Sequence, residues 1–450
     1  MANRWGVLTT VASSVLLLTT VAASATQGYF QHGYGARSKA LAGAGVADST
    51  DATAQSTNPA GIVGVGNQLN AAFSLFMPMR DYTGTGTFGF TPLGNVESDE
   101  NIFVMPNFAI SYALDENSSI GFMAIGNGGM NTTYPGMART LTNGPCLPGT
   151  FGTGTYCFGK AGVDLMQMIL GITYARRMGN VSFGITPLIG IQRFSARGLT
   201  AFGAASNAPT ALSDTGNDWA YGAGVRAGIQ MDVSDRFRVA LSGQSPIFMT
   251  KFDKYAGLFA NGGDFDVPGS ITAGFAYDVT NTVTVMFDYK HIFYEGVDAV
   301  SNSSTNILTC VPGAATCLGG SNGPGFGWKD VDVFAIGLEW DATERLTIRA
   351  GYAYNTQPVQ SADVMFNILA PGVVQHHITG GFKYDITERS SIEFAASYMP
   401  VASVSGTELP GFGATTHGIE VSMSQIDLTL GYTYKWGEPQ ADPEAIVRKY

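Results

Sequence analysis

Few side chains in this chain of 450 residues can do covalent or metal chemistry: four cysteines and five histidines lead the inventory. The cysteines fall in two close pairs, Cys146 with Cys157 and Cys310 with Cys317, each inside a stretch rich in Gly, Pro, Ser, Thr and Asn. Neither pair has CxxC spacing and no histidine lies in either stretch, so in an exported chain they read as two loop disulfides, with zinc as the weaker alternative. His376 and His377 are adjacent, and adjacent side chains on a regular strand point to opposite faces, so the two cannot chelate one metal. His32, His291 and His417 are isolated in the sequence. A membrane phospholipase would need a serine and a histidine paired on neighbouring strands, and no motif calls for such a pair. No catalytic residue, metal ligand or cofactor is therefore expected.

The composition narrows the elements that carry these residues. Glycine, with 58 residues, has about twice its usual share, and 13% of residues are charged against roughly 25% in a soluble globular protein. Beyond the first 25 positions no apolar run approaches the ~18 residues of a membrane-spanning helix, which excludes a helical bundle in a membrane. Arg4, the apolar run from Val7 to Ala22 and the small residues Ala23-Ser24-Ala25 read as a signal peptide over residues 1–25, with maturation at Thr26. A net charge of −11 argues against nucleic acid as a partner.

From about Gln68 the apolar residues recur with period 2, the mark of strands with one apolar face. In Ile426-Asp427-Leu428-Thr429-Leu430-Gly431-Tyr432-Thr433-Tyr434 every even position is apolar or aromatic and every odd one is small or polar. Fourteen such runs are expected: 68–80, 102–114, 118–127, 163–178, 181–198, 218–233, 236–250, 267–279, 282–299, 330–341, 345–359, 374–386, 390–405 and 423–436. Six connections are short, at 115–117, 179–180, 234–235, 280–281, 343–344 and 387–388, and the seven between them are long. That alternation is what an outer-membrane barrel with periplasmic turns and extracellular loops shows. Tyr112, Tyr174, Tyr277, Trp340, Tyr384 and Trp436 lie near the short-turn ends, where a ring suits the membrane interface. A soluble sandwich with an aromatic core is the competing reading. Trp436 is taken as the end of the last strand, because Pro439 and Pro443 of the polar tail 437–450 cannot sit in a central ladder.

Residues 26–66 depart from the strand pattern. Ala36 to Ala47 is mostly alanine and glycine, and the segment runs on to Asn58-Pro59-Ala60-Gly61. About forty compact residues ahead of a wide barrel suggest a plug. An N-terminal segment reading GYGARSKALAGAGVADSTDATAQSTNPAGI before fourteen strands resembles the FadL/TodX family of outer-membrane channels for hydrophobic compounds, over nearly the whole mature chain.

The resemblance implies an all-β fold: a fourteen-stranded antiparallel transmembrane barrel over residues 67–436, plugged by a small helical hatch over 26–66. It also implies passive uptake of long-chain fatty acids or other hydrophobic molecules through an apolar pocket, gating at Asn58, Pro59, Ala60 and Gly61, and a side exit at an inward kink of strand three. That kink is expected at Gly126, Asn127, Gly128 and Gly129, since glycine weakens pairing and permits a bulge; the other reading starts the second long loop there. The expected partners are the hydrophobic cargo and the lipid and lipopolysaccharide of a bacterial outer membrane, with the protein a monomer and not an enzyme. A general diffusion porin or a structural adhesin is the alternative, and the plug-like N-terminus argues against open diffusion.

Overall fold

Strands of alternating polarity can satisfy their backbone groups in hydrocarbon only by pairing until no edge remains, and this chain does so. The computed structural model describes residues 26–144, 146, 152–412 and 416–437. The signal-peptide reading of residues 1–25 and the tail beyond Gly437 lie outside them.

Fourteen strands form the wall: β1 Gln68–Gly86, β2 Phe103–Asp115, β3 Ser118–Asn131, β4 Gly162–Met178, β5 Val181–Arg197, β6 Asp218–Ser234 and β7 Phe237–Gln244. The second half comprises β8 Ser270–Asp278, β9 Val283–Ile292, β10 Val331–Thr343, β11 Leu346–Asn355, β12 His376–Thr387, β13 Ser390–Thr407 and β14 His417–Lys435. Each pairs antiparallel with its neighbours in the chain, and β14 returns to β1 from Gln68↔Lys435 to Gly86↔His417, closing the cylinder. Two short strands, Gly94–Glu97 on β1 and Phe248–Met249 on β6, add to the sheet. Trp436 continues the last rung, its N–H donating to the Asn67 carbonyl at 3.1 Å. Tyr112, Tyr174, Tyr277, Trp340 and Tyr384 are exposed on the outer surface at the short-turn end.

Several boundaries differ from the sequence expectation, for one recurring reason. Through the lower part of β14 the outward residues are apolar (Ile426, Leu428, Leu430) and the inward ones polar (Gln425, Asp427, Thr429); above Met423 the faces exchange, with Ile419 and Val421 buried and Glu420 exposed. In β1 the exchange falls between outward Met79 and Asp81, with Tyr82 buried inside. A strand that keeps its period while swapping its faces reads as ended. Hence β1 continues to Gly86 where 80 was expected, and β14 begins at His417 where 423 was expected. The exchange marks where the wall leaves the hydrocarbon and where the lumen turns apolar. Conversely, β7 stops at Gln244 before Pro246, and β9 stops at Ile292 before the 3-10 turn Tyr294–Gly296, short of the expected 250 and 299. The 118–127 strand runs on through its glycines to Asn131.

Both disulfides form, Cys146–Cys157 with Cα atoms 5.5 Å apart and Cys310–Cys317 with 4.6 Å, in the β3–β4 and β9–β10 loops. Each closes a short loop and is worth about 3 kcal/mol or less, far from the ladder that closes the wall. The double variants Cys146→Ser/Cys157→Ser and Cys310→Ser/Cys317→Ser should therefore keep the heat-modifiable gel migration of a closed barrel; loss of that shift would show that the loops hold the wall.

Candidate functional site

Residues 26–66 lie inside the cylinder. They form helix α1 (Gly35–Ala40) and two 3-10 turns, Ala52–Ser56 and Pro59–Ile62. The segment can fit because the wall is hollowed opposite it: a Cβ added to Gly431 would lie 3.1 Å from the Ala36 methyl, one at Gly381 2.8 Å from the Ala40 methyl and one at Gly337 3.1 Å from Leu41. Gly184 and Gly228, partners across β5 and β6, leave the same room for Pro59 and Asn58. Small residues on both sides let backbones approach within van der Waals contact, and this accounts for part of the glycine excess.

Charges in the segment are matched by wall residues far away in sequence. Lys39 Nζ sits 2.6 Å from Asp427 on β14 and donates to Ser74 on β1 at 2.7 Å. Arg37 binds Asp48 at 2.5 Å and Glu339 on β10 at 3.0 Å; Glu339 also binds Arg349, which binds Glu393 at 2.6 Å. Asp48 reaches Arg238 on β7 at 2.8 Å. These groups are buried or nearly so, and buried charges persist only when paired. His32 accompanies them, its Nε2 3.1 Å from Ser397 Oγ. Burial, followed by the nearby Lys39 and His377, pushes its imidazole well below the usual range.

Asn58 anchors the expected gating residues. Its Oδ1 accepts from Ala60 N at 3.1 Å, capping the 3-10 turn, and its Nδ2 donates to the carbonyls of Val46 (3.0 Å) and Ile229 on β6 (3.5 Å). Ala60 and Gly61 are buried in that turn beside β5 and β6. The strand-three residues lie elsewhere: among the described residues, no hydrogen bond joins Asn58–Gly61 to Gly126–Gly129.

At Gly126–Gly129 the wall changes. The β2–β3 pairing ends at Asn107↔Ile125, although β2 continues on β1 back to Phe103. On the other side, Gly126 faces Met168 and Gly128 faces Gln167, so Asn127 is the extra residue of a bulge, and Gly128 has φ 130°, a conformation that favours glycine. The freed edge of β3 is taken by the N-terminus: Gln31 N donates to Asn127 O at 3.2 Å, Gly129 N donates to Tyr29 O at 3.1 Å, and the Gln31 amide reaches Gly126 O. Asn127 is held by Tyr34 (2.6 Å) and Gln167 (3.0 Å). Tyr29 and Gln31 carried no sequence signal, since a single rung of added strand has no periodicity.

Two internal cavities flank this arrangement. The outer one, about 40 Å³, is apolar and lined from five loops by residues including Tyr156, Phe202, Phe259, Phe326 and Phe366. The luminal one, about 50 Å³, lies between the N-terminal segment and β6–β10, lined among others by Phe30, Gln31, Arg226, Gln244, Asp288 and Lys290. Gln31 Oε1, Gln244 Nε2 and Asp288 Oδ1 are buried there without partners. Each has room for only a few waters, at about 10–15 Å³ apiece, so a larger molecule needs the lining side chains to move.

Comparison with known proteins gives a consistent picture. The model of a family described as outer membrane protein transport protein (OMPP1/FadL/TodX) matches residues 15–435. A putative outer membrane protein of Neisseria meningitidis serogroup B is 25% identical over 166 residues, 35% of this chain and about a third (32%) of that protein's length. Among solved structures, the Pseudomonas putida toluene transporter TodX superposes with TM-score 0.63 at 17% identity, covering 90% of this chain and 99% of that one. A Pseudomonas aeruginosa FadL homologue gives 0.65 at 14% (91% and 100%), and the Ralstonia pickettii toluene transporter TbuX gives 0.58 at 17% (90% and 99%).

The paired charges make a stability prediction. Asp427→Leu strands the Lys39 ammonium in the lumen at a cost of about 3–5 kcal/mol, so limited proteolysis should cut within residues 26–66 much faster than in the parent. Lys39→Met combined with Asp427→Leu should restore most of the resistance. Equal sensitivity of single and double variants would mean that the pair does not hold the segment.

Proposed function

The chain belongs to the outer membrane protein transport family (OMPP1/FadL/TodX), and we propose that it takes up hydrophobic molecules passively, through a lumen gated by its N-terminal segment and a side exit at β3. As a member it is a transport protein of the outer membrane and not an enzyme. The observation that carries the finer reading is the edge of β3 released by β2 and covered by Tyr29–Gln31. Moving that short strap uncovers an opening while α1 stays anchored by its ion pairs.

The physics favours such a route. A hydrophobic molecule caught by the aromatic outer cavity gains about 25 cal/mol per Å² of surface removed from water. Return to water would forfeit that gain, whereas lateral release into lipid keeps it, and no energy source is needed. One chain closes its own barrel, so a monomer suffices.

Long-chain fatty acids are the proposed cargo on a second observation. Among the described residues Arg226 and Lys290 make no ion pair: Arg226 donates to the neutral Gln244 and to the Gln55 carbonyl, and Lys290 reaches Gln27 at 3.3 Å and lies over the Phe30 ring. The one carboxylate lining the same cavity, Asp288, is bound to the amides of Gly45 and Val46. A carboxylate head would find two cations there, with the chain lying along Phe30 and Val333.

Uptake of a labelled fatty acid by cells tests the gate. Gly128→Val/Gly129→Val, or deletion of Asn58–Ala60, should lower the rate at least about tenfold, a barrier change of ~1.4 kcal/mol, while the barrel still assembles. Undiminished uptake in both would remove the gate and the exit and leave simple passage through the lumen. Lys290→Met should weaken binding of the fatty acid by about 1.5–3 kcal/mol, the worth of a hydrogen bond to a charged group, and leave the alcohol of equal length unaffected; equal weakening of both would argue for a neutral hydrocarbon cargo.

A further inference from the structure

A second break in the wall lies between β7 and β8. Their pairing runs up to Gln244↔Ser270 and resumes in the same register at Ile247↔Val267, which exchange hydrogen bonds of 3.0 and 3.1 Å. The two rungs between are missing. Ser245 turns its N–H to Val225 O on β6 (2.9 Å), Gly269 gives its carbonyl to Phe293 N (3.0 Å), and Pro246 and Pro268, opposite each other in the register, have no N–H.

Outside this break is an apolar groove of about 350 Å³ whose walls include Pro246, Pro268, Ile271, Phe293 and Val297. Ile271 and Phe293 are exposed on the outer surface. The level is that of the hydrocarbon's outer edge: Ile271 pairs with His291, whose Nδ1 lies 2.7 Å from Asp332, whereas Leu241 and Phe275 below are exposed and apolar. Gln244 and Ser270 line both this groove and the luminal cavity that contains Phe30 and Gln31. The Gln244↔Ser270 pair is therefore what lies between the groove and the cavity that the strap on β3 lines.

We propose that the β7–β8 break is a side window through which hydrophobic molecules one ring or one chain wide pass between the outer leaflet and the luminal cavity. The inference rests on the transport reading above and adds a membrane-side path to the one through the loops. Cargo is the occupant because the same two residues, Gln244 and Ser270, line the groove on one side and the luminal cavity on the other. Its size suits the role, since an apolar space of ~150 Å³ already holds benzene. The polar pair Gln244 and Ser270 makes the inner rim a place of passage rather than of tight binding, for an apolar molecule gains nothing by resting there.

The groove can be filled without touching the lumen. A Cβ at Gly243 would meet only the Ser270 carbonyl, at 3.9 Å, and one at Gly296 would meet nothing within 4 Å. The described residues contain no free cysteine, so Ser270→Cys supplies a single thiol at the rim. In proteoliposomes N-phenylmaleimide, a small uncharged aromatic reagent, should modify Cys introduced at position 270, and Gly243→Trp/Gly296→Trp should slow that reaction about tenfold and reduce fatty-acid uptake in parallel, with heat-modifiable migration unchanged. Filling that alters neither rate overturns the window and leaves the transport reading intact. Slower labelling with normal uptake also overturns it, as does a groove that retains vesicle phospholipid which the cargo fails to displace. A parent protein that carries no hydrophobic compound overturns the transport reading and the window together.

Discussion

Every feature of this molecule follows from the cost of a bare peptide group in hydrocarbon. With no water to accept its N–H groups, each strand must pair on both sides, and the sheet has to close. The nineteen-residue ladder between β1 and β14 satisfies that demand. The same rule gives meaning to the places where pairing fails. At β3 the freed groups are met from inside by Tyr29 and Gln31, and at β7–β8 they are turned to neighbouring strands or deleted by proline. A gap in such a wall is tolerated only where something else answers the backbone, and in both places the answer is local.

Inside, a different balance applies. The plug segment buries Tyr29, Phe30, Leu41 and Val46 in the main core, and its charges add a preference for one position to that apolar contact. Lys39, Arg37 and Asp48 each meet an opposite charge on the wall or within the segment. Buried ion pairs add little net stability compared with apolar packing, but removing one partner is expensive. They therefore specify one seating of the segment. The strap from Thr26 to Tyr34 holds no such ion pair among the described residues and is attached by hydrogen bonds to the wall, Lys290 to Gln27 among them, so a single short stretch carries two kinds of attachment.

The architecture was legible because period 2 and the alternation of short and long connections are local signals, and the cysteine pairs were legible by proximity. The strand ends at Gly86 and His417 were not, since the polarity exchange near Met79 and Met423 breaks an apolar face without breaking a strand. Asp427 stood out as a charge inside the clearest strand of a charge-poor chain, yet nothing in the sequence pairs it with Lys39. The β7–β8 break was hidden likewise: Pro246 and Pro268 were visible, but that they oppose each other depends on the register.

The hollows left by Gly381 and Gly431 for the methyls of α1 impose a bond of another kind on the chain. Added bulk on β12 or β14 would have to be offset by lost bulk more than three hundred residues earlier, where alanine leaves almost nothing to lose. The plug and its socket are thus free to change only in step, and a plug transplanted from a related barrel would need its own set of wall glycines moved with it.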